Sequence, residues 1–313
     1  MTDICVKKSE TGGIRRRDFL ATGAATLALG VTGFPAVLRA QAEPVKIGLI
    51  HPVSGFIAFS GTQCRAGAEM AVKNLDILNK AAGSPAKTAM IVHEESLFGT
   101  GTANLLSEQL PNIGVEVLEV IKHANPTRDF TNIVLQIKSK KPDIIIPANY
   151  FNEYVLLART LRQQKVEAKG IYSVLGGAAS NYQFVKEFPE AADQIMDCNH
   201  WFNPKSELAM QRKKAAEAKG LFYTYEVFLT YNAVAYLADA IERAGSTEKE
   251  AVIAALRSST WDKHGMPYGP TKIDENGQNT GAQPVNTQVL NNVVEVIYPK
   301  EFASAEPVFP MKA

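Results

Sequence analysis

The chain has 313 residues, 46% hydrophobic and 21% charged, with 33 basic residues against 32 acidic. That near-balance argues against a nucleic-acid or membrane-surface partner, and the apolar fraction suits a globular protein. Three cysteines with no C-x-x-C spacing give cysteine–metal chemistry no support.

The N-terminus carries Arg15-Arg16-Arg17-Asp18-Phe19-Leu20, then an apolar, small-residue run from Ala21 to Val37, then Leu38-Arg39-Ala40-Gln41-Ala42. A basic segment, a short apolar segment and an A-x-A end are the parts of a secretory signal. The paired arginines resemble the twin-arginine type, which is an address and not an anchor. The run is shorter than the roughly 20 residues that span a bilayer, and it holds three glycines and a proline. Residues 1–42 are therefore read as a removable signal, and the mature protein is expected in the periplasm. Cleavage after Ala42 leaves 271 residues with 27 basic against 29 acidic side chains, a formal charge of −2.

Val45–His51 reads as a short buried strand, and Pro52-Val53-Ser54-Gly55 turns the chain. From Gly61 to Lys80, Cys64, Ala68, Ala71, Val72, Leu75 and Leu78 fall at helical spacing, and Gly83 is a natural stop. Thr88–Val92 is a second buried strand. His93–Phe98 forms a loop, and Gly99 leads into a helix through Leu105, Leu106, Leu110 and Ile113. Val115–Ile121 is a strand. Asp129 caps a helix bearing Phe130, Ile133, Val134 and Ile137. Asp143–Pro147 is a strand, followed by a helix with Val155, Ala158 and Leu161. Gly170–Val174 and Gln194–Cys198 are further strands. Strands alternating with helices imply βαβ units around a mainly parallel sheet, and apolar runs such as Asp143–Pro147 fit a sheet covered on both faces.

The last third changes character. Thr224–Arg243 is a long helix with Phe228, Val234, Leu237, Ala238 and Ile241 turned inward, ended by Gly245. Thr247 and Glu250 form a capping box for another helix. Asp274-Glu275-Asn276-Gly277 is a turn. Residues 289–294 form a hairpin about Asn291-Asn292, because asparagine tolerates positive φ. Cys64 and Cys198 are read as buried thiols rather than a disulfide.

Catalytic patterns are missing. The five histidines show no zinc-helix spacing, and no G-x-S-x-G elbow occurs. Gly99-Thr100-Gly101 lacks the last glycine of a dinucleotide fingerprint. Glu94 and Glu95 are adjacent, so they point apart and are expected in solvent. No cofactor and no enzyme activity are expected. In open α/β sheets ligands bind beyond the carboxyl ends of the strands.

Five segments together resemble the leucine/isoleucine/valine-binding family of periplasmic solute-binding proteins. They are VKIGLIHPVSG with FSG, KTAMIVHEESLFGTG, TRDFTNIVLQIKSKKPDIIIPANYFNE, YEVFLTYNAVAYLADAIERAGST and YGPTKIDENGQN. The resemblance implies an α/β type I fold of two lobes that close on a ligand like a hinged clam and deliver it to an ABC permease. It implies a lobe 1 part over 43–86, lobe 2 over 87–203, helices returning to lobe 1 over 204–270, and a C-terminal hairpin and tail over 271–313. Lobe 1 is expected to be incomplete. The helix of Gly61–Lys80 runs straight into the strand that would open lobe 2, and roughly a quarter of the usual two-lobe length is absent.

The resemblance also places the ligand. Ser54 and Phe59 follow the first strand on the lobe 1 side. Phe98 and Tyr150 follow lobe 2 strands at positions where the family sets aromatic cover. Leu175 and Gly176 follow the strand of Gly170–Val174, and Leu175 stands where amino-acid binders carry an acid for the ligand ammonium. A leucine cannot pair that charge, which leaves an amide, an aliphatic carboxylic acid or an aromatic acid beside the branched-chain amino acids. A monomer is expected. A truncated remnant that does not transport, and a sensory ligand-binding module, are the alternatives.

Overall fold

The computed structural model describes the backbone of residues 60–312 and side chains from residue 67 onward. The expected signal, the first strand, Ser54, Phe59 and the side chain of Cys64 lie outside the described residues. The described chain opens with helix α1 (Ser60–Ala81), then strand β1 (Thr88–Glu94), α2 (Leu97–Gln109) and β2 (Glu116–His123). It continues through α3 (Thr131–Lys140), β3 (Ile144–Ala148), α4 (Phe151–Gln163), β4 (Gly170–Val174), α5 (Tyr182–Glu187), α6 (Pro189–Ala192) and β5 (Met196–Asn199). The last elements are α7 (Glu207–Glu217), α8 (Tyr225–Ala244), α9 (Lys249–Arg257), β6 (Val285–Leu290) and β7 (Val293–Tyr298).

The described strands form one sheet in the order β2-β1-β3-β4-β5-β6-β7. The pairs from β2 to β5 are parallel, and β6 and β7 add an antiparallel edge. Period-two alternation sorts each strand between two cores. Ala89 and Ile91 of β1, with Ile144 and Ile146 of β3 and Tyr172 and Val174 of β4, face one layer. There α1 lays down Ala68, Ala71, Val72, Leu75 and Leu78, whose helical spacing makes a single stripe. Met90, Val92, Ile145 and Ile171 face the other layer, built by Val134 and Ile137 of α3, Tyr154, Leu157 and Leu161 of α4, Phe184 of α5, and the aromatic group Trp201, Phe202 and Phe228. The result is the α/β sandwich expected, with helices on both sides of a mostly parallel sheet.

Local chemistry explains most boundaries. Asp129 is not the cap residue of α3, which is Phe130 with no side-chain cap bond, but its Oδ1 accepts from the Thr131 N–H at 2.8 Å just before the helix. Gly245, at φ 59°, ends α8 in a left-handed cap. Asn291 and Asn292, at φ 53° and 64°, give the β6–β7 hairpin the primed turn that matches strand twist. Asp274 Oδ1 accepts from the N–H of Asn276 and of Gln278, holding the turn before β6. Cys198 is a free, buried thiol whose S–H reaches the Gly67 carbonyl at 3.3 Å.

Three further expectations are corrected. Thr247 does not cap α9: the helix starts at Lys249 with no side-chain cap bond, and the Ser246 hydroxyl accepts from the Glu248 N–H instead. Glu94 is not in solvent but fully buried, for reasons given below. Along α8, Phe228 is buried as expected, yet Val234, Leu237 and Ile241 are half-exposed and Ala238 is exposed. Only the first turns of α8 reach the aromatic core; beyond them, the described packing is largely with α9. No helix among the described residues is long and apolar enough to cross a membrane.

Candidate functional site at the strand ends

Parallel strands end together, so the loops after β1, β3, β4 and β5 share one rim of the sheet. After β1 the chain turns sharply into α2. The Glu94 carboxylate drives that turn: its Oε2 accepts the Ser96 N–H at 2.6 Å, and its Oε1 accepts the Ser96 hydroxyl at 2.5 Å and the Gly99 N–H at 2.8 Å. Negative charge at a helix N-terminus also complements the helix dipole. This is why a buried glutamate is tolerated: its oxygens are saturated by donors it could otherwise find only in water. Ser96 completes the cap by accepting from the Phe98 N–H at 3.1 Å. Gly99 is obligatory here, since a Cβ would stand 2.2 Å from the Glu94 carbonyl oxygen.

The turn delivers Phe98 to the rim. Its ring meets Tyr150, the residue preceding α4, with centroids 5.4 Å apart and planes tilted by 33°. Phe98 is 8% exposed and serves as backing, whereas Tyr150 is 44% exposed and offers a ring face and a hydroxyl. The Tyr150 hydroxyl lies 3.5 Å from Ser96 Oγ, at the limit of a hydrogen bond. Two residues expected to act together from separate loops are thus in contact.

Below Tyr150, Asn149 is fully buried beside His123 at the end of β2. His123 Nδ1 donates to the Ala124 carbonyl at 2.8 Å, leaving Nε2 to accept from the Asn149 side-chain amide. That arrangement fits a neutral imidazole. Burial lowers its pKa, partly offset by the Ala124 hydrogen bond. Phe130 packs edge-on against the same ring at 4.9 Å.

The loop after β4 approaches closely. Gly176 sits under Asn149, where a Cβ would fall 2.3 Å from the Asn149 carbonyl oxygen. Leu175, at φ 56°, turns its side chain onto Gly67 of α1 and joins the core beneath that helix. Gly177 lies against the ring of Tyr225, the first residue of α8. Burial pushes the Tyr225 phenol up, with the Glu226 carboxylate adding to the effect. Tyr225 and Gly177 escaped the sequence reading. Tyr225 opens a helix over seventy residues downstream of Tyr150, and no local pattern joins them.

The rim therefore presents Tyr150, Ser96 and Tyr225 over Phe98, an aromatic surface with hydroxyls. Glu94 is spent on the α2 cap, Glu95 Oε1 accepts the Asn125 N–H at 3.3 Å, and the exposed Glu226 stands beside Tyr225. Among the described residues no group of three His, Cys, Asp or Glu side chains is placed to hold a metal ion. Nothing in this chemistry resembles a nucleophile with its base.

Comparison with known proteins places this arrangement. The periplasmic binding protein family profile matches residues 76–291. The chain is 26% identical over 204 residues to the leucine-, isoleucine-, valine-, threonine- and alanine-binding protein of Pseudomonas aeruginosa, covering 61% of this chain and 50% of that one. It is 31% identical over 175 residues to a Leu/Ile/Val-binding protein of Rhizobium johnstonii, covering 55% and 46%. The chain thus spans about half the length of these curated relatives. Its fold is similar to a leucine binding protein of Thermotoga maritima, with a TM-score of 0.61 at 24% identity, covering 76% of this chain and 64% of the other. A putative branched-chain amino acid ABC transporter protein of Silicibacter pomeroyi gives a TM-score of 0.64 at 17% identity, covering 79% and 67%. These coverages fit a type I periplasmic-binding fold with an incomplete first lobe.

Proposed function

The chain belongs to the periplasmic binding protein family, and on that premise we propose that it is the exported solute-binding component of an ABC importer, capturing a small amino-acid-like molecule without chemistry. The observation that carries this reading is the contact of Phe98 with the exposed Tyr150 across the ends of two parallel strands. Aromatic faces with a hydroxyl suit a solute that is part apolar and part polar. Branched-chain amino acids are the first candidates, by similarity to the relatives' ligands. Leu175, turned onto α1, leaves no acid there for a ligand ammonium, which favours related carboxylates and amides as well. Closure by a hinge, docking to a membrane permease, action as a monomer, and the twin-arginine route to the periplasm complete the proposal.

The test is a thermal-shift screen of the purified mature protein against leucine, isoleucine, valine, small amides and aromatic acids. A ligand at a hundred times its Kd stabilises by about 2.7 kcal/mol through mass action. A saturable rise in Tm with any of these supports the reading; a flat response to all of them at millimolar concentration overturns it.

A second reading has its own observation. The half-exposed Val234, Leu237 and Ile241 on α8, with a chain spanning about half its relatives' length, suit a remnant that folds as one lobe and does not transport. The flat outcome of the same screen, in a protein with a cooperative melt, is the result that reading requires.

A further inference from the structure

Asp197 stands in the middle of β5, 1% exposed, with β4 and β6 on either side. Its Oδ2 accepts from the Ser180 hydroxyl at 2.6 Å. Its Oδ1 has no hydrogen-bond partner, and neither have two nearby buried hydroxyls: that of Ser173, in register with Asp197 on β4, and that of Tyr154 on α4. A carboxylate here would bury a whole charge against a few serine donors, those of Ser180 foremost, a costly state unless a cation faces it. Among the described residues none does. The titratable groups that feel it are Tyr154 from α4, Tyr172 from β4, Tyr225 from α8 and Cys198 on its own strand. Each is neutral or becomes negative on titration, so none favours an ionised neighbour.

The same carboxyl is an anchor. Ser180 ends the loop that carries Leu175, Gly176 and Gly177 along the rim. Asn199 Nδ2 donates to Ser180 Oγ at 3.3 Å, so Ser180 is gripped from two positions on β5. The other end of the loop is fixed by the Leu175 N–H on the Cys198 carbonyl at 2.8 Å. Its middle lies between the Asn149 carbonyl and the Tyr225 ring.

We propose that Asp197 is a buried proton-binding site: as a neutral acid it shares its proton with the orphaned hydroxyls of Ser173 and Tyr154 and holds the loop of residues 175–180 on the sheet through Ser180. Ionisation demands solvent at Oδ1, and the loop above is the part that can lift to admit it. Asp197 is thus a positioning residue for the rim, and this rests on reading the rim as the ligand site. Burial pushes the carboxyl up to about 7, with the Ser180 hydroxyl pulling back. The sign follows. With the folded pKa above that of the unfolded chain, the stabilising contribution is complete below about pH 4 and is lost as pH rises through the folded value.

The direct test is carbon-13 NMR of the aspartate carboxyl groups in the wild-type protein, without ligand, from pH 4 to 9. The Asp197 signal should titrate near neutrality, and amide exchange at residues 176–181, corrected for intrinsic rates, should lose up to about tenfold protection per pH unit between about pH 4 and that midpoint and level off above it. Asp197→Asn should abolish that extra pH dependence while Ser180→Ala weakens protection at every pH. Titration in the ordinary carboxylate range overturns the proposal, as does unchanged pH dependence of loop exchange in Asp197→Asn. Should Asp197→Asn fail to fold, the wild-type titration decides alone. A near-neutral titration in a protein that binds none of the screened solutes would sink the transport reading and leave the proton site standing; normal titration with intact binding does the reverse.

Discussion

Phe98 and Tyr150 meet at 5.4 Å although one sits in the first turn of α2 and the other caps α4, and their burial differs enough to separate packing from recognition. Phe98→Ala removes a nearly buried ring and should cost about 3 kcal/mol of stability. Tyr150→Ala removes a ring that is 44% exposed and should cost less than Phe98→Ala, since less of it leaves water on folding. Urea denaturation gives both values. Against any ligand that shifts the wild-type melt, titration calorimetry should show at least a tenfold weaker Kd for Tyr150→Ala. Unchanged affinity would remove Tyr150 from the site.

The cap built by Glu94 is the second place where a single change should tell. Glu94→Gln keeps the shape but loses the charge and replaces one acceptor oxygen with an NH2 group. The destabilisation expected is about 2 kcal/mol, in the range for buried charge-assisted hydrogen bonds. Gly99→Ala forces a methyl group onto the Glu94 carbonyl and should cost about 1–3 kcal/mol. Both should lower the chemical-denaturation midpoint together with amide protection in the first turn of α2. A wild-type midpoint in either variant would contradict the packing described.

The β6–β7 hairpin offers a test independent of function. Asn292, at φ 64°, should accept glycine with no loss of stability, because glycine adopts that conformation freely. Asn292→Val should cost about 1–2 kcal/mol, the penalty for a branched side chain in the left-handed region. Equal melting temperatures for the two variants would mean the turn is not the primed type.

Acid sensitivity should come from histidine. Burial depresses the pKa of His123, His200 and His264, with hydrogen bonds to Ala124 and Gly269 opposing it at the first and last. A base whose folded pKa lies below its unfolded one binds fewer protons when folded. The stability it contributes is therefore present above about pH 6.5 and is lost as pH falls toward the folded pKa. His123→Gln should flatten the decline in urea midpoint below that pH relative to wild type. The sign is opposite to that of Asp197, so only difference curves between each variant and wild type separate the two. Parallel curves for wild type and His123→Gln would exclude His123 from the acid response.

What could be read from the residue order alone was what short range decides. Short apolar runs placed the strands Thr88–Val92, which extends to Glu94, and Gly170–Val174, and period-3.6 spacing placed the helices α1 and α8 to within a few residues, because each pattern is a property of one segment. Asn291-Asn292 and the Asp274 turn were legible for the same reason, their chemistry being local. The α/β class followed from the alternation of those elements, and the family from motifs in fixed order.

Tertiary structure decided the rest, because burial belongs to neighbours that only folding supplies. Glu94 and Glu95 are the same residue type side by side. One is enclosed by the turn into α2 and the other stays in solvent, and nothing in the pair itself says which. Leu175 was placed at the rim by position, and the left-handed backbone sends its side chain to α1 instead. The apolar stripe on α8 looked like core, yet a stripe becomes core only where something lies across it, and beyond Phe228 the described residues cover it in part. Asp197 passed unnoticed in a four-residue strand; the proposal made for it rests on two strands, α4 and the loop after β4, which enclose it with no cation among the described residues.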